Sequence, residues 1–370
     1  MTQRERLQAV FNGEIPDAVP WFTDMSYYQH GNARAGTLPE KYLGQDGLLE
    51  LHRDLGVGIY LFTPPLVKVN RDPTLFYRTE EDLGDGRRRY TIHTPEGNVS
   101  GLVQECPQSS STANREYPVK SAEDLRVVRC WYEGATYKPN YDAVIECDRK
   151  WGDIGFGVPI IPRSPLAALV AEWVGVVNLS YIAADAPDAL EEALEAMRRA
   201  EDGFYRLVCQ APYPVVEVGE NLTAEAVGGL WRRYSRDYYK LRTNQLHASG
   251  KLVGCHIDGT LGRLLKDIVE VGIDFPESIV PRPVGDLTVR EIRDAVGPET
   301  ILWGGVPGAM FAPPFEPEWV LEFVREVVRV VGERGRFVLA GADQVPPNGD
   351  IGLVRRIGEL VEEIGPPRRI

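Results

Sequence analysis

The run Lys251-Leu-Val-Gly-Cys-His-Ile-Asp-Gly259 sets a histidine and a carboxylate two residues apart. Leu252 and Val253 make it read as a buried strand, and side chains two apart on a strand share one face. His256 and Asp258 should therefore project together from the strand's C-terminal end, with Gly259 opening the turn into a helix. An imidazole beside a carboxylate can move a proton or hold a metal ion. Cys255, one step away, should point to the other side and pack in a core. More acids stand where other strands should end: Asp24, Glu217 and Glu220, Glu277, and Asp343.

The elements that must position these residues alternate. After about residue 150, short apolar runs (155–161, 214–218, 251–256, 273–275, 300–303, 336–340) are separated by amphipathic helical stretches (164–181, 188–208, 228–249, 261–271, 289–295, 317–332, 351–364). Roughly six strand–helix units in series predict parallel strands with crossover helices. No G-x-G-x-x-G follows a strand, which argues against a dinucleotide-binding sheet. The pattern predicts an α/β fold closed as a (β/α)8 TIM barrel, whose chemistry belongs at the C-terminal mouth of the strands. Before residue 150, a helix over 4–11, a first strand over 18–22 ending near Asp24, and a helix over 45–55 supply the opening units. Residues 57–119 alternate polar and apolar between Gly84-Asp-Gly86 and Pro95-Glu-Gly97, and read as a β-rich insertion at the barrel mouth. Residues 1–370 would then be a single domain.

Composition excludes several roles. A formal charge of −13 leaves no basic surface of the kind phosphate neutralisation needs, so nucleic acid is not an expected partner. Arg87-Arg-Arg89 reads as a solvated hairpin. No apolar run approaches the ~20 residues of a membrane span, and no signal-peptide core opens the chain. The five cysteines are scattered without a CxxC pair, as expected of a reduced, cytoplasmic protein.

Three stretches resemble a known family. Arg4-Glu-Arg-Leu-x-Ala-Val-Phe-Asn-Gly-Glu-x-Pro16-Asp-x-Val-Pro20 is similar to the N-terminal signature of the uroporphyrinogen decarboxylase superfamily. So is the series Gly254-Cys-His256-x-Asp258-Gly259, Gly272-Ile-Asp274 and Gly297-x-x-x-x-Leu-Trp-Gly304-Gly305. The ending Leu339-Ala-Gly-Ala-Asp343-x-Val-Pro-Pro347 resembles the family's last strand and loop. The resemblance implies a (β/α)8 barrel and one of two activities. The decarboxylases carry an Arg-Gln-Ala-Gly-Arg-Tyr loop after the first strand to grip a tetrapyrrole's carboxylates. Here the stretch is Trp21-Phe-Thr-Asp24-Met-Ser-Tyr-Tyr28, without either arginine, and a polycarboxylate needs cationic partners. The other branch comprises corrinoid-dependent methyltransferases with a zinc-binding His-x-Cys and a later cysteine. Asp258 and Ala342 or Asp343 stand in those places, which removes the soft ligands of a thiol-activating zinc.

The closest functional analogue is therefore an O-demethylase-type methyltransferase, moving a methyl group from a small, aryl ether-like donor to or from a separate corrinoid protein. Asp24, Glu220 and Glu277 are the candidate catalytic acids. His256, Asp258 and Asp343 are the candidate zinc ligands. A protonated carboxylic acid could instead stabilise the departing oxygen without metal. Asp258 could equally cap the following helix. Arg163, Trp21, Tyr27, Tyr28, Glu217 and Asn221 are the candidate substrate contacts. The cobalamin (corrinoid) must come from a partner, because the chain lacks an Asp-x-His-x-x-Gly module. The chain could also assemble as a homodimer. Two rival readings stay open: a tetrapyrrole decarboxylase without cofactor, and a non-catalytic barrel subunit.

Overall fold

Apolar runs between helices become parallel strands. The computed structural model describes residues 1–107, 111–332 and 335–367. Within them run β1 (Trp21–Asp24), β2 (Ile160–Ile161), β3 (Val215–Leu222), β4 (Leu252–Ile257), β5 (Phe275–Glu277), β6 (Leu302–Pro307) and β7 (Phe337–Gln344). They lie in two parallel sheets of order β1-β7-β6 and β5-β4-β3-β2. Single parallel bridges join Phe22 to Gly58, Ile59 to Gly155, and Ile279 to Gly304. Phe156 and Val158 donate their N–H groups to the carbonyls of Ile59 and Tyr60, both at 3.1 Å. The protein is thus a mixed α/β fold of parallel strands and helices. No helix among the described residues is long and apolar enough to cross a membrane.

Local chemistry explains most of the helix limits. Helix Gln3–Asn12 starts at a Thr2–Glu5 capping box and stops at Gly13 in the left-handed region. Three long helical stretches expected from periodicity are broken. Residues 164–181 form a short helix Pro165–Ala168, a π-turn Leu169–Trp173 and, past Gly175 at φ 79°, the helix Val176–Asp185. The stretch 188–208 splits at Glu201 into Pro187–Ala200 and Asp202–Gln210. The stretch 228–249 lies within Ala224–Tyr234 and Arg236–Ala248, which part at Ser235. Hydrophobic periodicity runs through all three breaks, so it could not reveal them.

Residues 67–139 add antiparallel structure. A four-stranded sheet is built from Tyr77–Gly84, Arg87–Thr94, Gly97–Cys106 and Ser111–Glu116, and Val67–Asn70 pairs with Thr136–Pro139. Asp85 at φ 53° turns the first hairpin between two glycines. Arg88 meets Glu80, and Arg89 lies near Glu116, so the arginine run is balanced by acids on neighbouring strands. Residues 108–110 of the stretch expected to be β-rich lie outside the described residues.

Two cores result. The larger one fills the space between strands and helices. The second holds Leu7, Val10, Phe22, Tyr60, Phe156, Val215, Phe275, Trp303 and Val338 among its members, on one face of the parallel strands. Its rings interlock around Trp303, with centroids 4.6 Å to Tyr60, 5.8 Å to Phe275 and 5.9 Å to Phe22.

Gly304 lets β6 approach its neighbour. It sits at φ 134°, and an added Cβ would fall 2.4 Å from the Ile279 nitrogen. Gly304→Ala should therefore lower unfolding stability by roughly 2–4 kcal/mol. Gly228, a helical glycine with nothing within 4 Å of an added Cβ, should gain about 0.5–1 kcal/mol on change to Ala. Urea midpoints of the two variants check the contrast.

Candidate active site

Strand alternation gathers the site. In the register, Gly254 on β4 lies opposite both Glu217 on β3 and Phe275 on β5, and His256 lies opposite Glu277. Glu217, His256 and Glu277 therefore share the face that carries Phe275, immediately above the aromatic cluster. Their ligand atoms lie within 4.8 Å of one another. Glu217 and Glu277 are each 1% exposed.

The three side chains are not equally satisfied. His256 Nδ1 contacts Glu277 Oε2 at 2.5 Å, and the Tyr60 hydroxyl donates to Glu277 Oε1 at 2.6 Å. Glu217 is different: both its oxygens are buried, and among the described residues no N–H or hydroxyl donates to it, its one neighbour in hydrogen-bond reach being the second carboxyl, Glu277. An unpaired buried carboxylate is costly, so this group must take a proton or a cation. Burial first, and then the charge of Glu277, push the Glu217 carboxyl well above the usual range. Burial opposes charge on His256, but Glu277, Glu217 and Asp343 outweigh it and raise the imidazole to about 9.

Two further acids close the rim. Asp24 Oδ1 accepts from the Ser26 N–H at 2.7 Å, and Asp24 Oδ2 from the Gln344 amide at 2.6 Å. Burial raises its carboxyl. The Asp343 N–H donates to Ser278 Oγ at 2.8 Å, and burial, only partly offset by His256, lifts the Asp343 carboxyl to about 6. Ser278 and Asp343 have φ of 66° and 60°, and Phe62 and Asn221 have 71° and 54°. Ser278, Asn221 and Asp343 follow or end parallel strands, and Phe62 follows the bridged segment 57–60. Strain of this kind in non-glycine residues collects at functional sites. A cavity of about 520 Å³ beside Asp24 is lined by Ser26, Tyr27, His30, Phe62 and Gln344, among others.

The remaining predicted residues fall into place as follows. Asp258 is half-buried beside Asp343, with its N–H on the Leu222 carbonyl, and it is not within reach of the three-residue cluster. Its carboxylate caps no helix among the described residues; the following helix, Leu264–Glu270, has Arg263 at its N-cap position. Glu220 is buried on the opposite face of β3. Its Oε1 takes the Ser164 N–H at 2.7 Å and the Tyr239 hydroxyl at 2.5 Å, and burial raises its carboxyl. Cys255 is fully buried on that same side. Trp21 faces the helices, its indole N–H on the Val354 carbonyl at 3.1 Å. Tyr28 is half-buried against the larger core. Arg163 is held by Glu172 at 3.1 Å and by Asn221 Oδ1 at 3.0 Å. The structure thus brings together Glu217, His256 and Glu277, with Asp24, Asp343 and Tyr27 at the rim. It does not bring Glu220, Trp21 or Arg163 to them.

Tyr60, Ser278 and Gln344 are site residues that sequence reasoning did not single out in these roles. Tyr60 ends the 57–60 segment on the parity that faces the aromatic cluster, and Gln344 directly follows Asp343. Those positions were the available signals.

No protein-family model matches the chain, and no curated protein matches it. Among solved structures, a methyltransferase from Methanosarcina mazei is similar, with a TM-score of 0.59 and 14% identity. The match covers 98% of this chain and 99% of that one. At that identity the likeness speaks for the fold alone.

The His256–Glu277 pair gives a pH test on metal-free protein. The folded imidazole ionises at about 9 against an ordinary 6.5, so its contribution to stability is complete below pH 6.5 and disappears as pH rises through 9. Asp343, raised to about 6 from 3.8, also favours the fold at lower pH. Glu277→Gln should bring the His256 ring down toward or below 6.5, as seen by NMR of ring-labelled histidine. A ring that still titrates near 9 in that variant would refute the pairing.

Proposed function

We propose that this chain is a metal-assisted methyltransferase, with Glu217, His256 and Glu277 as the ligands of a divalent cation such as zinc. The observation that carries the reading is Glu217: a carboxyl with both oxygens buried and no N–H or hydroxyl donor among the described residues, against a second carboxylate and beside an imidazole. Three protein ligands of nitrogen and oxygen with an open fourth position suit catalytic zinc. The proposed ligand set differs from the His256, Asp258 and Asp343 suggested by spacing, because strand pairing puts two glutamates closer to the imidazole than either aspartate. The Tyr60 hydroxyl donates to Glu277 and holds it in place, as the hydrogen-bond partners of ligating carboxylates do.

When bound, the cation would act as a Lewis acid toward the oxygen from which the methyl group departs. The protein's part is to orient the donor and to supply a proton. Asp343, half-protonated near pH 6, is placed to give that proton at the rim. The cavity past Tyr27 and Phe62 would admit a small ether-type donor, and the aromatic floor beneath the acids excludes water. The methyl acceptor or source in this reading is a separate corrinoid protein docking at the mouth.

The architecture we infer is a closed (β/α)8 barrel of the uroporphyrinogen decarboxylase type, spanning residues 1–370 with a β-rich insertion over 57–119. What supports it is that the three single bridges link segment 57–60 and the two sheets into one continuous order. That the similar solved structure is a methyltransferase agrees with the methyl-transfer reading. Tetrapyrrole decarboxylation is less well supported, since Arg163, the cation suggested for a substrate carboxylate, is already held by Glu172 and Asn221.

The test is metal content. Purified protein should carry about one divalent ion per chain, and Glu217→Ala or His256→Ala should lose it while remaining folded by circular dichroism. Loss of a ligand from a catalytic metal site typically reduces affinity by far more than the 10–100-fold of an outer-shell change. Methyl transfer from ether donors to a corrinoid partner, followed by cobalamin absorbance, should fall with the metal. Equal metal in wild type and both variants would overturn the assignment.

A further inference from the structure

A second cavity lies outside the parallel strands. It has a volume of about 220 Å³ and lies against Trp131, Trp173, Tyr137 and Phe204, with Arg71, Glu172 and Glu201 as its acidic and basic side chains. None of its lining residues belongs to the Glu217–His256–Glu277 centre. Its size is below that of pockets for drug-sized ligands, which run to about 300–1,000 Å³, so it suits a single-ring compound.

The walls are aromatic. Trp131 and Trp173 meet edge-on at 6.3 Å, and Tyr137 and Phe204 at 5.8 Å. The polar groups are what give it direction. Arg71 stacks its guanidinium 4.3 Å over the Trp131 ring and spends Nε on the Trp131 carbonyl at 2.7 Å. It makes no ion pair, and its two terminal nitrogens have no acceptor among the described residues. Burial pulls its pKa down, as expected of a cation without an anion. Glu172, which also lines the cavity, pairs through one oxygen with Arg163 and makes no ion pair with Arg71.

Glu201 does not serve either. It is 7% exposed, stands at the helix break and accepts from the Tyr238 hydroxyl at 2.8 Å. Burial, more than any neighbouring charge, raises its carboxyl to about 8, so at neutral pH it carries a proton and can donate. Trp173, 4% exposed, turns its indole N–H toward the Tyr132 hydroxyl. The pocket therefore offers the Arg71 fork as its one cation and a protonated Glu201 carboxyl, framed by ring faces. Its complement is a flat ring that bears an anionic acceptor.

We propose that this cavity is a second ligand site, separate from the candidate metal centre, that takes a monocyclic aromatic carboxylate, with the ring on the aromatic walls and the carboxylate on Arg71. A guanidinium presents its donors as a fork that matches a carboxylate bidentately, and such charge-assisted bonds are the strong ones. A cationic ligand would have to share the pocket with an unpaired arginine.

Benzoate titrated into the full chain tests this, read by calorimetry and by tryptophan fluorescence. Benzoate should bind at one site per chain, with benzamide and benzyltrimethylammonium at least tenfold weaker. Arg71→Leu should cost tenfold or more in benzoate affinity. Arg71→Lys, which keeps the charge and loses the fork, should fall between. Glu201→Gln, which keeps a donor, should retain binding. Glu217→Ala should bind benzoate as the wild type does, so the outcome is independent of the metal centre. Preference for the quaternary ammonium, equal binding of benzamide, or an affinity unchanged in Arg71→Leu would each overturn the proposal. If Arg71→Leu fails to fold, the Lys variant and the three-probe comparison on the wild type still decide it.

Discussion

Most of the site's properties derive from one constraint: two glutamates are held against an interlocked aromatic floor, out of reach of water. Phe22, Phe275 and Trp303 pack beneath Glu217 and Glu277, and the hydroxyl of Tyr60 rises from that floor to one of them. A carboxylate placed there loses solvation worth several kcal/mol unless something replaces it. His256 and Tyr60 satisfy Glu277. Among the described residues, no donor other than a shared carboxyl proton with Glu277 reaches Glu217. The fold thus keeps one buried anion site open, and the surrounding charges are arranged around it. The same electrostatics raises His256, which is stabilised as a cation by the acids around it.

The strand ends supply the second ingredient. Regular β geometry would aim Asp343 away from the site, because Val338 and Ala340 on β7 face the aromatic cluster and residues of odd number should face the helices. The register between β1 and β7 slips between Thr23 and Asp24, and Asp343 takes φ 60°. That local departure, fixed by the bond from its N–H to Ser278, leaves Asp343 close enough to His256 and Glu277 to feel their charges. The strained backbone and the carboxyl lifted to about 6 therefore share one cause: the chain bends to bring an acid into a partly desolvated position. Stored strain of this size persists only where neighbouring contacts over-determine it.

Much of this was legible in the sequence, and the gaps have identifiable reasons. The alternation of apolar runs and helices gave the parallel strands. The final helix Ile351–Ile364 and the turn glycines 84 and 86 lie where pattern placed them. His256, Glu277 and Asp24 were picked out because they sit at strand ends. The choice between Glu217 and Glu220 turned on parity alone. On β3 these residues are three apart, so they must face opposite sides, and the Gly254–Glu217 register shows which one accompanies His256. Trp21 points toward the helices for the same reason, its indole N–H on the Val354 carbonyl. What no pattern could supply was Asp343's left-handed turn or the helix break at Glu201, because both depend on contacts from distant segments.

The helix break at Glu201 sets a second buried carboxyl in place. Glu201 is acidic and lies in a stretch whose apolar period reads as continuous helix, so sequence would leave it on a solvated face. Instead the chain buries it beneath Tyr238, itself bonded to Tyr205 at 3.1 Å. Arg242 completes the layer, its guanidinium 4.3 Å from the Tyr205 ring and 2.8 Å from Asp202. Burying a carboxyl in this layer is tolerable only because it keeps its proton, and a protonated carboxyl both donates and accepts. Glu217 and Glu201 are thus the same physical object in two settings. Where an imidazole and a second carboxylate stand beside it, the buried acid asks for a cation. Where an unpaired arginine and aromatic faces stand beside it, the acid stays neutral and the pocket asks for an anion.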